Sequence, residues 1–134
     1  MNRRFESDWW AIGIADGWDV DDDESCTTLT RENEEGAFQI SAARKDADVV
    51  TEEDALEFAS DAVPDGTQFE RVSVGAFEGI TAGFRDDRGQ WMMHWLFTGP
   101  LLVYATHVGP PEIVEAQSAD VRRMLETLIP METT

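Results

Sequence analysis

The sequence is poor in lysine, cysteine and long apolar runs. Lys45 is the single lysine among ten basic residues, the other nine being arginine, and these ten face 28 acidic residues for a formal net charge of -18. A surface of that sign repels a phosphate backbone, which argues against nucleic acid as a partner. The one cysteine, Cys26, can form no intrachain disulfide and lies in a polar run, so it reads as a bystander thiol in a reducing compartment. No stretch approaches the ~18 consecutive apolar residues of a membrane span. The start, Met1-Asn2-Arg3-Arg4-Phe5-Glu6, is basic but runs into Ser7-Asp8 and predicts no secretory signal. These absences predict a soluble, cytoplasmic protein that does not meet the membrane.

What is present suffices for a core. Apolar residues make up 42% of the chain, well above the level of a disordered sequence, and 134 residues suit one domain spanning 1–134 without disulfides or metals. The organising stretch is Phe69 to His107, with extended runs at Gln68–Val74, Phe77–Phe84, Gln90–Phe97 and Leu101–His107. Phe77, Ile80, Ala82 and Phe84 fit a strand with one bump in its period, while Trp91, Met93, Trp95 and Phe97 line one face of the next. The last two runs are apolar on both faces, which marks central strands. Arg85-Asp86-Asp87-Arg88-Gly89 and Thr98-Gly99-Pro100 read as tight turns, with Ser73-Val74-Gly75-Ala76 a weaker one. Neighbours joined so tightly pair antiparallel.

The flanks fill in the rest. Trp9 to Ile14 reads as a first strand, on a sheet edge, ending at the turn signal Asp16-Gly17. Trp18 and Val20 follow, then a hairpin of Cys26–Arg31 and Ala37–Ala43, with Phe38, Ile40 and Ala42 on one face. Thr51-Glu52-Glu53-Asp54 opens a short helix in near-capping-box form, with Ala55, Leu56, Ala59 and Val63 as its buried stripe and Pro64-Asp65-Gly66 as its end. Pro110-Pro111 leads into a second helix over Glu112–Leu128, whose stripe runs through Ile113, Ala116, Gln117, Val121, Met124, Leu125 and Leu128. Residues 130–134 read as a frayed tail.

The four acids Asp21-Asp22-Asp23-Glu24 invite a calcium reading. Counted from Asp19 the sixth and twelfth positions are Glu24 and Thr30; counted from Asp21 they are Cys26 and Glu32, so the required Gly is missing both ways. A solvated hairpin tip fits better. The overall charge has two readings, an arginine-biased acidic bacterial protein or adaptation to high salt, where a dense negative surface is screened.

No catalytic motif, metal set or cofactor signature is legible. His94 and His107 are the two histidines; with the turn at Thr98–Pro100, His94 faces Val103 or Tyr104 and His107 lies near Gln90 or Trp91. That separation, well over ~10 Å, is too far to share one zinc ion at ~2.0–2.1 Å. Gly79 and Gly83 share a strand face that a helix or ligand can approach closely. Of the five tryptophans, adjacent Trp9 and Trp10 point to opposite faces, so one of them needs separate cover. If the helices cover one face, the other bears Met92, His94, Leu96, Leu102, Tyr104 and Trp10, an apolar patch of the kind that forms interfaces.

Several local phrases carry a family resemblance. Gly17-Trp18-Asp19-Val20, Gly36-Ala37-Phe38-Gln39-Ile40-Ser41-Ala42, Trp91 to Trp95 followed by Leu101–Thr106, and the closing Val121–Leu128 come in the order strand, hairpin, helix, meander, helix. Together they resemble the PsbP/Mog-like fold, in particular small bacterial proteins with that architecture. The resemblance implies an α+β domain, a single antiparallel sheet of about six or seven strands with both helices on one face. It also implies adaptor roles, such as subunits of the photosynthetic oxygen-evolving complex, small-GTPase binders, secretion chaperones or immunity-like proteins, with no shared catalytic residue set. The missing signal segment argues against a photosynthetic or envelope role.

The leading expectation is therefore a non-catalytic protein-binding or adaptor domain. Its partner is another protein or a second copy, met through Trp10, Met92, His94, Leu96, Leu102 and Tyr104. The alternative is a small-ligand binder or hydrolase-like enzyme using His94 or His107 with Glu78. An immunity-type protein neutralising a basic toxin is a further alternative.

Overall fold

The computed structural model describes residues 3–23, 26–45 and 48–131. Its strands are β1 (Arg3–Glu6), β2 (Trp10–Ile14), β3 (Trp18–Asp22), β4 (Thr27–Arg31), β5 (Ala37–Arg44), β6 (Glu70–Val74), β7 (Phe77–Asp86), β8 (Gly89–Thr98), β9 (Leu101–Gly109) and β10 (Ile129–Pro130). Helix α1 (Glu52–Ser60) follows β5, and α2 (Pro111–Glu126) follows β9. No helix among the described residues is long and apolar enough to cross a membrane.

Seven strands form one antiparallel sheet in the order β3-β4-β5-β9-β8-β7-β6. The strands before α1 and the meander after it meet along β5 and β9, paired from Ala37 with Val108 to Arg44 with Leu101. As expected from their two-sided apolar patterns, β8 and β9 lie inside the sheet. The meander turns are short. Val74 pairs with Phe77 across Gly75-Ala76, and Thr98 with Leu101 across Gly99-Pro100. Gly75 (φ 57°) and Gly99 (φ 53°) supply the positive φ at the first central position, the geometry that suits right-twisted hairpins.

The two helices cover opposite faces, which corrects the expectation that both lie on one. Ala55 and Ala59 of α1 pack with Ile80, Met93, Trp95 and Leu102. Val121, Met124 and Leu125 of α2 pack on the other face with Phe38, Ile40, Leu96, Val103 and Ala105. The reason lies in β8 and β9 themselves: strands apolar on both faces need cover on both. The bump expected in β7 is also absent. Phe77 faces the α2 side while Ile80 and Ala82 face the α1 side, an ordinary alternation shared between two cores.

The first strand is not an edge of the large sheet. β2 is the middle of a separate small sheet, β1-β2-β10, and is nearly wholly buried. Its third strand runs into the stretch from residue 130 expected to fray: Ile129 pairs with Ala11, Pro130 with Trp10, and the Met131 amide donates to the Trp9 carbonyl at 2.8 Å. Residues 132–134 lie outside the described residues. Trp10 is buried while Trp9 is half-buried against the same core.

Both helix starts follow the expected chemistry. The Asp54 amide donates to Thr51 Oγ1 and the Thr51 amide to Asp54 Oδ2, each at 3.1 Å, closing a capping box. Pro110 is the N-cap of α2 and Pro111 its first residue, where amides have no helical partner. A polar staple anchors α2 to the sheet edge. Asp120, on α2, accepts from Trp18 Nε1 at 3.0 Å and from Arg31 Nη1 at 2.9 Å.

Candidate functional site

The six residues expected to form one binding face divide between two. The β8–β9 turn holds two residues instead of three, so Leu96 pairs with Val103 and His94 with Ala105. A one-residue slip sends every side chain of the second strand to the opposite face. Leu102 and Tyr104 therefore lie on the α1 side, and Met92, His94 and Leu96 on the α2 side. Trp10, Leu96 and Leu102 are buried within the monomer, whereas Met92, His94 and Tyr104 are half-buried. The Tyr104 ring packs edge-on against Trp95, with centroids 5.6 Å apart. The expected patch is thus largely core.

The same slip brings the histidines together. Met92 pairs with His107 and His94 with Ala105, so the two imidazoles are diagonal neighbours on one face, about 7–8 Å apart at the backbone. This overturns the expectation of a wide separation. His107 is buried and meets Gln117 of α2 at 2.9 Å, Nε2 to Oε1. Gln117 Nε2 donates to Glu34 Oε1 and to the Glu35 carbonyl, which orients its Oε1 toward the imidazole and makes His107 Nε2 the donor. Burial lowers the pKa of His107, with the Gln117 bond opposing. His94 is lowered to about 4, chiefly by burial, with the charge of His107 adding to it.

The acid expected to work with these histidines is not beside them. Glu78 pairs with Phe97 and sits on the opposite face, exposed. Among the described residues no group of three His, Cys, Asp or Glu is placed to hold a metal ion. In the acidic run, Asp22 accepts from Thr27 Oγ1 at 2.9 Å, and Glu24 lies outside the described residues. Gly79 and Gly83 serve the sheet itself. A Cβ at Gly79 would run into the Trp95 carbonyl oxygen, and one at Gly83 would meet Met92 Sδ at 2.8 Å, so the close neighbour is β8.

A second location emerges on the α1 side, where β5 ends and β9 begins beside the helix. A groove of about 480 Å³ has Ala43, Val50, Phe58 and Leu102 as apolar lining and Glu57 and Asp61 on its helical wall. Ala43 and Leu102 are a cross-strand pair, which puts both on the floor. The loop after β5 is hooked onto the β8–β9 turn by Lys45 N to Pro100 O and Val50 N to Gly99 O, both 2.8 Å. Lys45 then reaches Asp54 at 3.0 Å and Asp48 at 3.7 Å. The Asp54 bond raises the Lys45 pKa, and the Thr51 backbone bond followed by Lys45 lowers that of Asp54.

Phe58 is the unusual member. It is 55% exposed, and Val49 nearby in the chain is 57% exposed. The small residues Ala55 and Ala59 hold α1 close to the sheet, and Phe58 falls off that stripe. The sequence carries this signal, since Phe58 is the one large apolar residue of α1 outside the stripe. Two further depressions adjoin along β6 and β7, about 480 Å³ and 420 Å³, sharing Ser73, Glu78 and Phe97; Val50 links the first to the groove. The α1 side thus carries a trough around the start of the helix.

No family model matches the chain, and no curated protein matches it. The fold is similar to a crystal structure from Bacteroides thetaiotaomicron VPI-5482, with a TM-score of 0.68 at 17% identity. The match covers 96% of this chain and 48% of the other, so the chain spans about half the length of that neighbour. At this identity the likeness shows an antiparallel α+β architecture in common and carries no function with it.

Proposed function

We propose that this chain is a non-catalytic protein-binding or adaptor domain of the cytoplasm, built on a PsbP/Mog-like fold, with its contact surface on the α1 side of the sheet. The observation that carries this reading is Phe58, 55% exposed beside a groove floored by Leu102 and Val50. A large ring left on the surface next to an apolar floor is the anchor-and-pocket arrangement of protein interfaces. Of the six residues expected from sequence, Leu102 lines this groove and Tyr104 lies on the same sheet face. The single cysteine and the adaptor roles that the family resemblance implies both agree with the reading.

The test is a photo-reactive phenylalanine analogue placed at position 58 and, as a control, at exposed Asp87 in the distant β7–β8 turn. Irradiation in the native host should give a discrete adduct from position 58 and none from position 87. Adducts of equal yield and pattern from both positions, or none from either, would remove this surface from consideration.

A further inference from the structure

We infer that the α1-side groove takes a basic amphipathic segment of another protein, one apolar anchor flanked by arginine or lysine. This rests on the protein-binding reading of the same surface and adds the chemistry of the partner. The floor of Leu102, Val50 and Ala43 together with Phe58 suits an aromatic or aliphatic anchor. The wall beside it is set by helical spacing: Glu57 and Asp61 are four residues apart, on one flank of α1, and both are exposed.

The charges of the groove decide what can sit there. Two cations line the groove: Lys45 is engaged by Asp54 and Asp48, and Arg44 also has an interaction partner, while Arg71 beyond the helix start is engaged by Glu52. Glu57 and Asp61, by contrast, make no ion pair or side-chain hydrogen bond among the described residues. Two unengaged carboxylates beside an apolar floor select a cation next to the anchor and repel an acidic segment. The net charge of -18 acts in the same direction at longer range, drawing a basic partner toward the surface. A second copy of this chain is disfavoured on the same ground, because it carries the same excess.

The experiment pans a random peptide library displayed on phage against the full chain, then measures the enriched peptides as synthetic probes. The expected winners carry one large apolar residue with Lys or Arg within about one helical turn of it. Their affinity should fall at least about tenfold in the E57K/D61K variant, as loss of two rim charges implies. It should change less than about threefold in E112K/E115K, which alters net charge by the same amount on α2, across the sheet. Equal losses in both variants would mean attraction to bulk charge and overturn the inference.

Neutral or acidic winners that still need Phe58 would overturn the basic partner while leaving the protein-binding reading in place. Winners indifferent to Phe58→Ser would overturn both. Ala43→Trp, which fills the groove from an exposed position, blocks the same site should the Phe58 variant not fold.

Discussion

His94 and His107 are diagonal neighbours on the α2-facing side of β8 and β9, with His94 opposite Ala105 and His107 opposite Met92. Burial lowers the pKa of both, that of His94 to about 4 against an ordinary 6.5. The unfolded chain therefore binds more protons between those values, and stability rises with pH across that window. It is fully present above pH 6.5 and is lost as pH falls toward 4. A shift of this size corresponds to on the order of 3 kcal/mol at most. Urea unfolding of the wild type at pH 7 and pH 4.5 should show the loss, and His94→Leu should reduce it. An identical loss in the variant would assign the effect to other groups.

The Asp120 carboxylate joins three elements, accepting from Trp18 Nε1 of β3 and Arg31 of β4 while sitting on α2 with 17% of its side chain exposed. Trp18 is fully buried, so removing the acceptor strands its indole N–H. Asp120→Ala should cost about 2 kcal/mol and Asp120→Asn clearly less, since the amide oxygen still accepts. Chemical denaturation of the two variants decides this, and equal losses would contradict the hydrogen-bond account.

Gly79 and Gly66 separate two reasons for a glycine. At Gly79 a Cβ would collide with the backbone of β8, which cannot retreat without breaking the ladder. Gly79→Ala should destabilise by at least about 2 kcal/mol. Gly66 has open space around its Cβ position but a φ of 86°. Gly66→Ala should cost about 1 kcal/mol through strain alone. The ordering is the test; a more costly Gly66 variant would refute the close approach at β8.

Self-repulsion among 28 acidic residues opposed by ten basic ones should weaken as salt screens it. The melting temperature should therefore rise from low to molar NaCl. The mapped ion pairs, such as Arg31–Glu34 and Arg71–Glu52, are largely exposed and would be weakened in turn, a smaller opposing effect. A melting temperature that stays flat across the range would rule out dominance by repulsion.

Much of the fold was legible in local chemistry. Thr51 and Asp54 announce the start of α1, Pro110-Pro111 that of α2, and the turn residues around Gly75, Gly89 and Gly99 divide the meander. These signals act over a few residues of chain, so neighbouring residues suffice to read them. The apolar pattern of β8 and β9 likewise placed them inside the sheet, because alternation reports on both faces of a strand at once.

Register and pairing were decided by the tertiary structure. Whether the Thr98–Leu101 turn holds two residues or three is invisible in composition, yet it moves Leu102 and Tyr104 to the other face and sets His94 beside His107. The capture of Ile129–Pro130 by Trp10 and Ala11 joins residues far apart in the chain, and no local pattern signals it. The same holds for the groove. The sequence by itself determined that Phe58 lies off the buried stripe of α1; only the packing of that helix beside Leu102 and Ala43 made the exposed ring part of a surface, because a groove needs walls from separate elements.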